Sequence, residues 1–120
     1  VLPVNNYAWS KLGGECAVQM YKNSLIIRAC MTEYPFVHKF AYSNMFTNFI
    51  FHKDFIKILE KILHVKGILN IGGSAKSVYN FAKKSNPNIK KLKLKPKKKI
   101  NMPLNSLMNL TKLNKILKKK

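Results

Sequence analysis

Residues 7–15 read Tyr7-Ala8-Trp9-Ser10-Lys11-Leu12-Gly13-Gly14-Glu15, inside a stretch with the composition of a helix. We predict a helix over residues 6–21. Side chains four positions apart on a helix lie one turn above each other, so Tyr7 and Lys11 share one face. Each glycine of the pair Gly13-Gly14 costs a helix about 1 kcal/mol relative to alanine. We therefore expect this pair where the helix approaches another backbone closely.

The pairing of a phenol with an ammonium carries chemical meaning. A neighbouring positive charge favours the phenolate form of tyrosine, which makes proton transfer at its oxygen accessible. Such a pair suits redox or epimerisation chemistry at a secondary alcohol or ketone. Taken alone, the spacing of Tyr7 and Lys11 is also common at the start of an ordinary amphipathic helix, and the pentapeptide by itself favours that interpretation.

The remaining pattern alternates between helical and strand periods, with Asn5 or Asn6, Ser77, and Asn109 or Thr111 as candidate helix starts. We predict strands at 24–29, 47–51, 68–71 and 89–94, helices at 54–64, from 77 and from 109 or 111, and a loop over 30–47. This order indicates an α/β fold. The strands are few for a self-sufficient parallel sheet, so the set looks incomplete.

Charge is distributed unevenly along the 120 residues, whose formal net charge is +19. The segment from Lys83 to Lys120 contains fourteen lysines and no acid, which is one signature of nucleic-acid binding. Arg28 is the only arginine, however, and bidentate recognition of phosphate and guanine favours arginine. We interpret the lysines as a solvated surface and expect neither a nucleic-acid partner nor, since every apolar run is shorter than about 18 residues, a membrane.

The histidines and cysteines predict no metal site. His38, His52 and His64 are scattered, and Cys16 and Cys30 have neither metal-ligand nor redox-motif spacing. We expect both cysteines to be small buried residues of a protein in a reducing, cytoplasmic location, and a pair between them is left open.

Several segments together resemble the extended short-chain dehydrogenases/reductases. Residues 7–15 are similar to the family's YxxSKxxGE run, and Leu25–Ala29 (LIIRA) is similar to the strand that follows its catalytic helix. Residues 67–73 with Ser77 resemble the late strand, glycine turn and capped helix. Residues 102–106 before 109–113 resemble the closing proline and helix. Within the family, the chain is most similar to the dTDP-4-dehydrorhamnose reductase-like branch.

The resemblance implies a fold and a division of the chain. The fold would be the C-terminal part of a Rossmann-type NAD(P)-binding fold with its substrate-binding region, the N-terminal strands being missing. Residues 1–30 would supply the catalytic helix and the following strand of the Rossmann core. Residues 31–120 would form the substrate-binding C-terminal region with its basic tail.

The resemblance also implies roles for individual residues. Tyr7 would be the general acid/base that protonates the sugar keto oxygen as hydride arrives from NAD(P), a role typically worth about 10²- to 10⁴-fold in rate. Lys11 would favour its phenolate and hydrogen-bond the nicotinamide ribose, so that both residues also contact the cofactor. Ala29 and Cys30, which replace the usual proline after the arginine, would lie beside the nicotinamide, and Thr32 beside the substrate.

Other features of that family do not occur in the sequence. A GxxGxxG turn for the cofactor pyrophosphate is absent, and Gly72-Gly73 predicts a tight turn instead. We interpret Val1 as a cut through a longer protein. The partners would be a nucleotide-sugar substrate and the missing dinucleotide-binding half, with a homodimer left open, and the isolated 120 residues are expected to be inactive.

Two alternatives to the reductase remain at the level of sequence. One is a nucleotide-sugar epimerase or dehydratase of the same family, which would share Tyr7 and Lys11. The other, from a different class, is a small basic nucleic-acid-binding protein that uses Lys83 to Lys120. The second alternative leaves residues 7–15 unexplained. The identity of the sugar and the choice between NAD and NADP are not encoded in any recognisable motif.

Overall fold

A computed structural model describes residues 2–95 and 102–118, so part of the predicted basic tail lies outside the described residues. In chain order the elements are α1 (Asn6–Gln19), β1 (Leu25–Ala29), β2 (Met31–Thr32), β3 (Phe40–Tyr42), β4 (Phe46–Thr47), β5 (Ile50–Phe51), α2 (His52–Ile62), β6 (Gly67–Ile71), β7 (Lys76–Ser77), α3 (Val78–Ala82), β8 (Lys90–Leu92) and α4 (Thr111–Lys118). The chain is therefore mixed α/β, as the pattern predicts.

The strands of the described residues form four separate two-stranded sheets. The longest is a parallel pair in which β1 lies beside β6, with Leu25 opposite Gly67 and Ala29 opposite Ile71. The pairs β2–β5 and β3–β8 are also parallel, whereas β4–β7 is antiparallel. The β1–β6 pair crosses the predicted boundary at residue 30, so the two predicted parts of the chain share a sheet.

Two hydrophobic clusters hold these elements together. The first is formed where α2 and α4 cover the β1–β6 pair, around the buried residues Ile62, Leu69, Ile71 and Leu113. The second is formed between α3 and the β3–β8 pair, around the buried residues Phe36, Ala41, Val78, Ala82 and Ile89. Full burial of an aliphatic side chain of this size stabilises a fold by about 1.5–3 kcal/mol. The apolar faces that the periodicity of α2 and α4 predicts therefore cover the β1–β6 pair.

The predicted helix caps are largely found. The Asn5 carboxamide oxygen accepts a hydrogen bond of 2.8 Å from the Ala8 amide, so Asn5 rather than Asn6 caps α1. The Ser77 hydroxyl accepts from the Asn80 amide at 3.2 Å at the start of α3. The Asn109 side chain accepts from the Thr111 amide at 2.9 Å, immediately before α4. Each cap satisfies a backbone donor that the first turn of a helix leaves without a partner.

The segment 30–47 was predicted as a loop, and the structure corrects this. It contains β2, β3 and β4, none longer than three residues. The sequence pattern does not reveal these strands because they are too short for a period, and each is defined by a partner elsewhere in the chain, such as β8 for β3. The predicted strand over 47–51 is likewise divided into β4 and β5.

The glycines also require a correction. A Cβ added at Gly13 or Gly14 would meet nothing within 4 Å among the described residues, so the expected close approach of another backbone to α1 is wrong. Close approach occurs instead at Gly72 and Gly73, which follow β6. There a Cβ on Gly72 would lie 2.6 Å from the Asn48 carbonyl oxygen, and one on Gly73 would lie 2.6 Å from the Phe49 carbonyl oxygen.

Asn48 itself connects three segments of the chain. Its side chain is buried, donates to the Gly73 carbonyl at 2.9 Å and accepts from the Met108 amide at 2.7 Å. Its backbone carbonyl accepts from the Gly73 amide at 3.1 Å. Three segments therefore meet at Asn48: the loop between β4 and β5, the glycine pair after β6 and the segment before α4.

None of the helices in the described part of the chain combines the length and the apolar character needed to span a bilayer.

Candidate functional site

The phenol and the ammonium of the first helix lie together. The Lys11 ammonium is 5.3 Å from the centre of the Tyr7 ring, within the range of a cation–π interaction. The helical spacing places both side chains on one side of α1. Tyr7 is 71% exposed, so a molecule approaching from solvent can reach it. The structure thus provides an accessible phenol with a fixed positive charge beside it.

A bidentate ion pair attaches this helix to the first strand. Arg28 on β1 donates from Nε to Glu15 Oε1 at 2.7 Å and from Nη2 to Glu15 Oε2 at 2.6 Å. These hydrogen bonds from Arg28 lower the pKa of Glu15, and those to Glu15 raise the pKa of Arg28. Two parallel charge-assisted bonds fix an angle as well as a distance. The pair therefore orients the Tyr7–Lys11 face relative to the end of β1.

A cavity of about 500 Å³ lies between α1 and β1. Tyr7, Lys11 and Ala29 line it together with Met31 and Phe55. Its volume lies within the roughly 300–1,000 Å³ of small-molecule sites. Three of the residues predicted to contact the cofactor are thus brought to one cavity.

A second cavity, of about 450 Å³, also adjoins Tyr7 and Lys11. It shares the Glu15–Arg28 pair with the first cavity and is completed by Pro3, Asn105 and other residues of segments 2–4 and 103–106. The Tyr7–Lys11 pair therefore faces open volume bounded by segments far apart in sequence.

Cys30, predicted beside the nicotinamide, is not among the residues that line the α1–β1 cavity. Its thiol accepts a hydrogen bond from the Thr47 hydroxyl at 3.4 Å, and its carbonyl accepts from the Ile50 amide. Burial raises the pKa of the Cys30 thiol, and the hydrogen bond from Thr47 partly opposes that rise. Cys16, expected to be buried, is exposed because α1 buries none of its residues, and both cysteines are free thiols.

Thr32, predicted beside the substrate, lines a different cavity of about 370 Å³. Its neighbours there include Phe36, Phe40 and Tyr42. Met31 lines both this cavity and the one between α1 and β1. The residues predicted for the cofactor and for the substrate are therefore separated into adjoining cavities on either side of Met31.

Some residues that build the site were not predicted from the sequence. Glu15 and Arg28 both stand in the segments that carry the resemblance, which was a usable signal, but their pairing depends on the turn between α1 and β1. Phe55 and Met108 reach the α1–β1 cavity from α2 and from the segment before α4, and no local motif marks them.

Comparison with protein-family models, with curated proteins and with solved structures finds no match to this chain. Among the described residues, no three His, Cys, Asp or Glu side chains are grouped so that they could hold a metal ion. We therefore infer function from the geometry around Tyr7 and Lys11.

Proposed function

We propose that this chain is part of an NAD(P)-dependent nucleotide-sugar oxidoreductase in which Tyr7 is the general acid/base. The observation that carries the proposal is the Lys11 ammonium 5.3 Å from the centre of an exposed Tyr7 ring, beside a cavity that Ala29 also lines. Within that cavity Tyr7 protonates the keto oxygen of the sugar as the carbonyl is reduced. Lys11 stabilises the phenolate that remains.

The arrangement of the strands gives further support. The resemblance to the short-chain reductases indicates two strands, the one after the catalytic helix and the late strand, and these are β1 and β6. They lie side by side, parallel and in register over five residue pairs. A parallel neighbour needs a crossover connection, which the chain between them provides together with α2. This pair is the part of a Rossmann-type sheet that we assign to the chain.

The described residues suit one end of the cofactor and not the other. Lys11 and Ala29 border a cavity large enough for the nicotinamide end, where bound NAD(P) would supply hydride. The Gly72-Gly73 pair does not provide a pyrophosphate site. The backbone carbonyls of Asn48 and Phe49 already lie against these two glycines, where the pyrophosphate would have to approach. We therefore assign the pyrophosphate to the separate dinucleotide-binding half that the resemblance implies.

The decisive experiment replaces Tyr7 in the complete protein that contains this chain. Tyr7→Phe removes the proton donor and leaves the ring beneath Lys11, so we expect kcat for reduction of a keto nucleotide sugar to fall by about 10²- to 10⁴-fold. Tyr21→Phe, at an exposed tyrosine just beyond α1, is the matched control and should keep the wild-type rate. An undiminished rate in the Tyr7 variant would exclude the proposed role.

Product analysis separates the reductase from its alternative. A reductase consumes one reduced nicotinamide per sugar converted, whereas an epimerase or dehydratase regenerates its cofactor. Isomerised or dehydrated sugar without net consumption of cofactor would replace our assignment with that alternative. We also expect the 120 residues alone to show no nicotinamide-dependent turnover, and such turnover would contradict the need for a separate pyrophosphate site.

A further inference from the structure

Several lysines in the described part of the second half of the chain lie close together. No acidic residue follows Glu60 in the sequence, whereas seventeen lysines do. Two of them share one aromatic ring: the ammonium groups of Lys83 and Lys91 lie 5.9 Å and 5.5 Å from the centre of the Tyr79 ring. Lys83 ends α3 and Lys91 belongs to β8, so separate elements bring positive charge to the same place.

A second pair of lysines meets nearby in the chain. Lys76 on β7 and Lys84 after α3 also influence one another. A hydrogen bond from the Lys84 ammonium to the neutral amine of Lys76 lowers the pKa of Lys76, and desolvation and repulsion from the Lys84 charge act in the same direction. The two ion pairs found among the described residues join Arg28 to Glu15 and Lys57 to Asp54, so neither neutralises these lysines. We refer to Lys76, Lys83, Lys84 and Lys91 as the lysine cluster.

An exposed aromatic ring, that of Phe40, also lies on the β3–β8 sheet, on the face opposite to Lys91. The rings of Phe40 and Tyr42 are 5.9 Å apart, edge to face, and Phe40 is 45% exposed. Phe40 stands opposite Lys90 in the register of the parallel pair, so the ring and the ammonium share one face of the sheet. Ala41 stands opposite Lys91 on the other face, where α3 with Tyr79 packs.

We propose that the β3–β8 sheet and the lysine cluster bind single-stranded nucleic acid. Lysines spread over several elements suit a flexible phosphate backbone, and an exposed ring offers a stacking surface to a base whose faces are free. This inference is independent of the reductase function. It differs from the expectation that composition gave, because composition does not show that lysines lie on both faces of one sheet, beside Phe40 on one face and around Tyr79 on the other.

Single strands fit this surface better than two other polyanions. Duplex DNA buries the faces of its bases, so Phe40 would have no base on which to stack. Anionic membranes recruit basic amphipathic helices through an apolar face that is free to insert. In α4 that face is already buried, since Leu113 is only 2% exposed.

The test measures fluorescence anisotropy of a labelled single-stranded oligothymidylate with the full chain over a range of salt concentrations. We expect affinity to fall steeply with salt. Lys83→Gln combined with Lys91→Gln, the two lysines beside Tyr79, should make the slope of log affinity against log salt shallower by about 1.4, about 0.7 for each lost phosphate contact on a single strand. Lys53→Gln combined with Lys61→Gln removes the same charge from exposed positions of α2 and should leave the slope unchanged.

Phe40→Ala tests the stacking surface separately. It should weaken binding about tenfold at every salt concentration without changing the slope, because a base–ring contact involves no phosphate. Circular dichroism of each variant shows whether its fold is kept. Equal losses in the α2 control, equal affinity for a duplex, or binding to phosphatidylserine vesicles but not to the oligonucleotide would each overturn the inference.

Discussion

Helices α1 and α4 are attached to the molecule in opposite ways. Helix α4 places Leu113 in the cluster around Ile62, Leu69 and Ile71, where it is 2% exposed. Helix α1 is longer and buries no residue at all. Its connection to β1 is the Glu15–Arg28 pair, and the same side of the helix faces the two cavities that Tyr7 and Lys11 line. The candidate chemistry lies on the weakly packed helix, and the hydrophobic stabilisation lies on the other.

The contrast shows how a site can be both exposed and oriented. A helix held by packing would cover the ring and ammonium that it presents. A helix held by a bidentate ion pair keeps its direction while its functional face stays open to solvent. We expect substitutions at α4 to change the free energy of unfolding strongly and substitutions at α1 to change it little.

The largest effect should come from Leu113→Ala. Removing the three carbons beyond Cβ from a buried site leaves a cavity, and we expect a loss of about 3 kcal/mol in the free energy of unfolding. Leu63→Ala removes the same groups from a position that is 71% exposed and should change stability by less than about 0.5 kcal/mol. Urea denaturation measures both. Equal losses would show that α4 is not the anchor that its burial indicates.

Smaller changes in the free energy of unfolding, of opposite sign, are expected at one glycine after β6 and one glycine in α1. Gly72→Ala forces a Cβ against the Asn48 backbone at 2.6 Å, so we expect a loss of about 2 kcal/mol. Gly13→Ala adds a methyl group to open space inside α1 and should stabilise the chain by up to about 1 kcal/mol, because alanine favours a helix. Thermal and urea unfolding provide the comparison. A destabilised Gly13 variant would mean that something does pack against α1.

Glu15→Gln tests the attachment of α1 itself. We expect a loss of about 1 kcal/mol at neutral pH, since Arg28 is half exposed and solvent weakens the pair. The pKa of Glu15 is lowered in the folded chain. The pair therefore contributes stability above the ordinary glutamate value of 4.5, and this contribution is lost as pH falls through the lowered value. Wild type and variant should converge in acid, and a constant difference at all pH values would contradict the ionic origin.

The smallest change is chemical and leaves the fold intact. Cys16 is exposed on α1, whereas the Cys30 thiol is half-buried and burial raises its pKa. Because the thiolate is the reactive form, we expect iodoacetamide to modify Cys30 several-fold more slowly than Cys16. Mass spectrometry of peptides over time measures the two rates, and Cys16→Ser isolates the slower one. Faster reaction at Cys30 would reverse the order of exposure that the structure gives.

The sequence pattern predicts the helices well, because helix formation and capping depend on residues that are near one another in the chain. The helical period and the caps at Asn5 and Ser77 place the helices to within about two residues at most ends. The same spacing predicts that Tyr7 and Lys11 meet. Strands of two or three residues in 30–47 carry no period of their own, because each is defined by a partner up to fifty residues away.

The candidate site divides in the same manner. The adjacency of Tyr7 and Lys11 lies within one helix and follows from its geometry. The pairing of Glu15 with Arg28 depends on how the chain turns between α1 and β1, which neither residue determines alone. The placement of Thr32 in a separate cavity depends on β2 pairing with β5. The sequence pattern does not predict this pairing, because each strand is only two residues long.

The contacts of Asn48 restrict which residues can stand at distant positions of the chain. Its carboxamide requires a carbonyl at Gly73 and an amide at Met108, and its backbone occupies the space that a side chain at Gly72 would need. Replacing Asn48 would leave the Gly73 carbonyl and the Met108 amide without this partner, and a side chain at position 72 would meet the backbone of residue 48. In homologous sequences Asn48 and Gly72 should therefore be retained, even where the residues around Tyr7 have diverged.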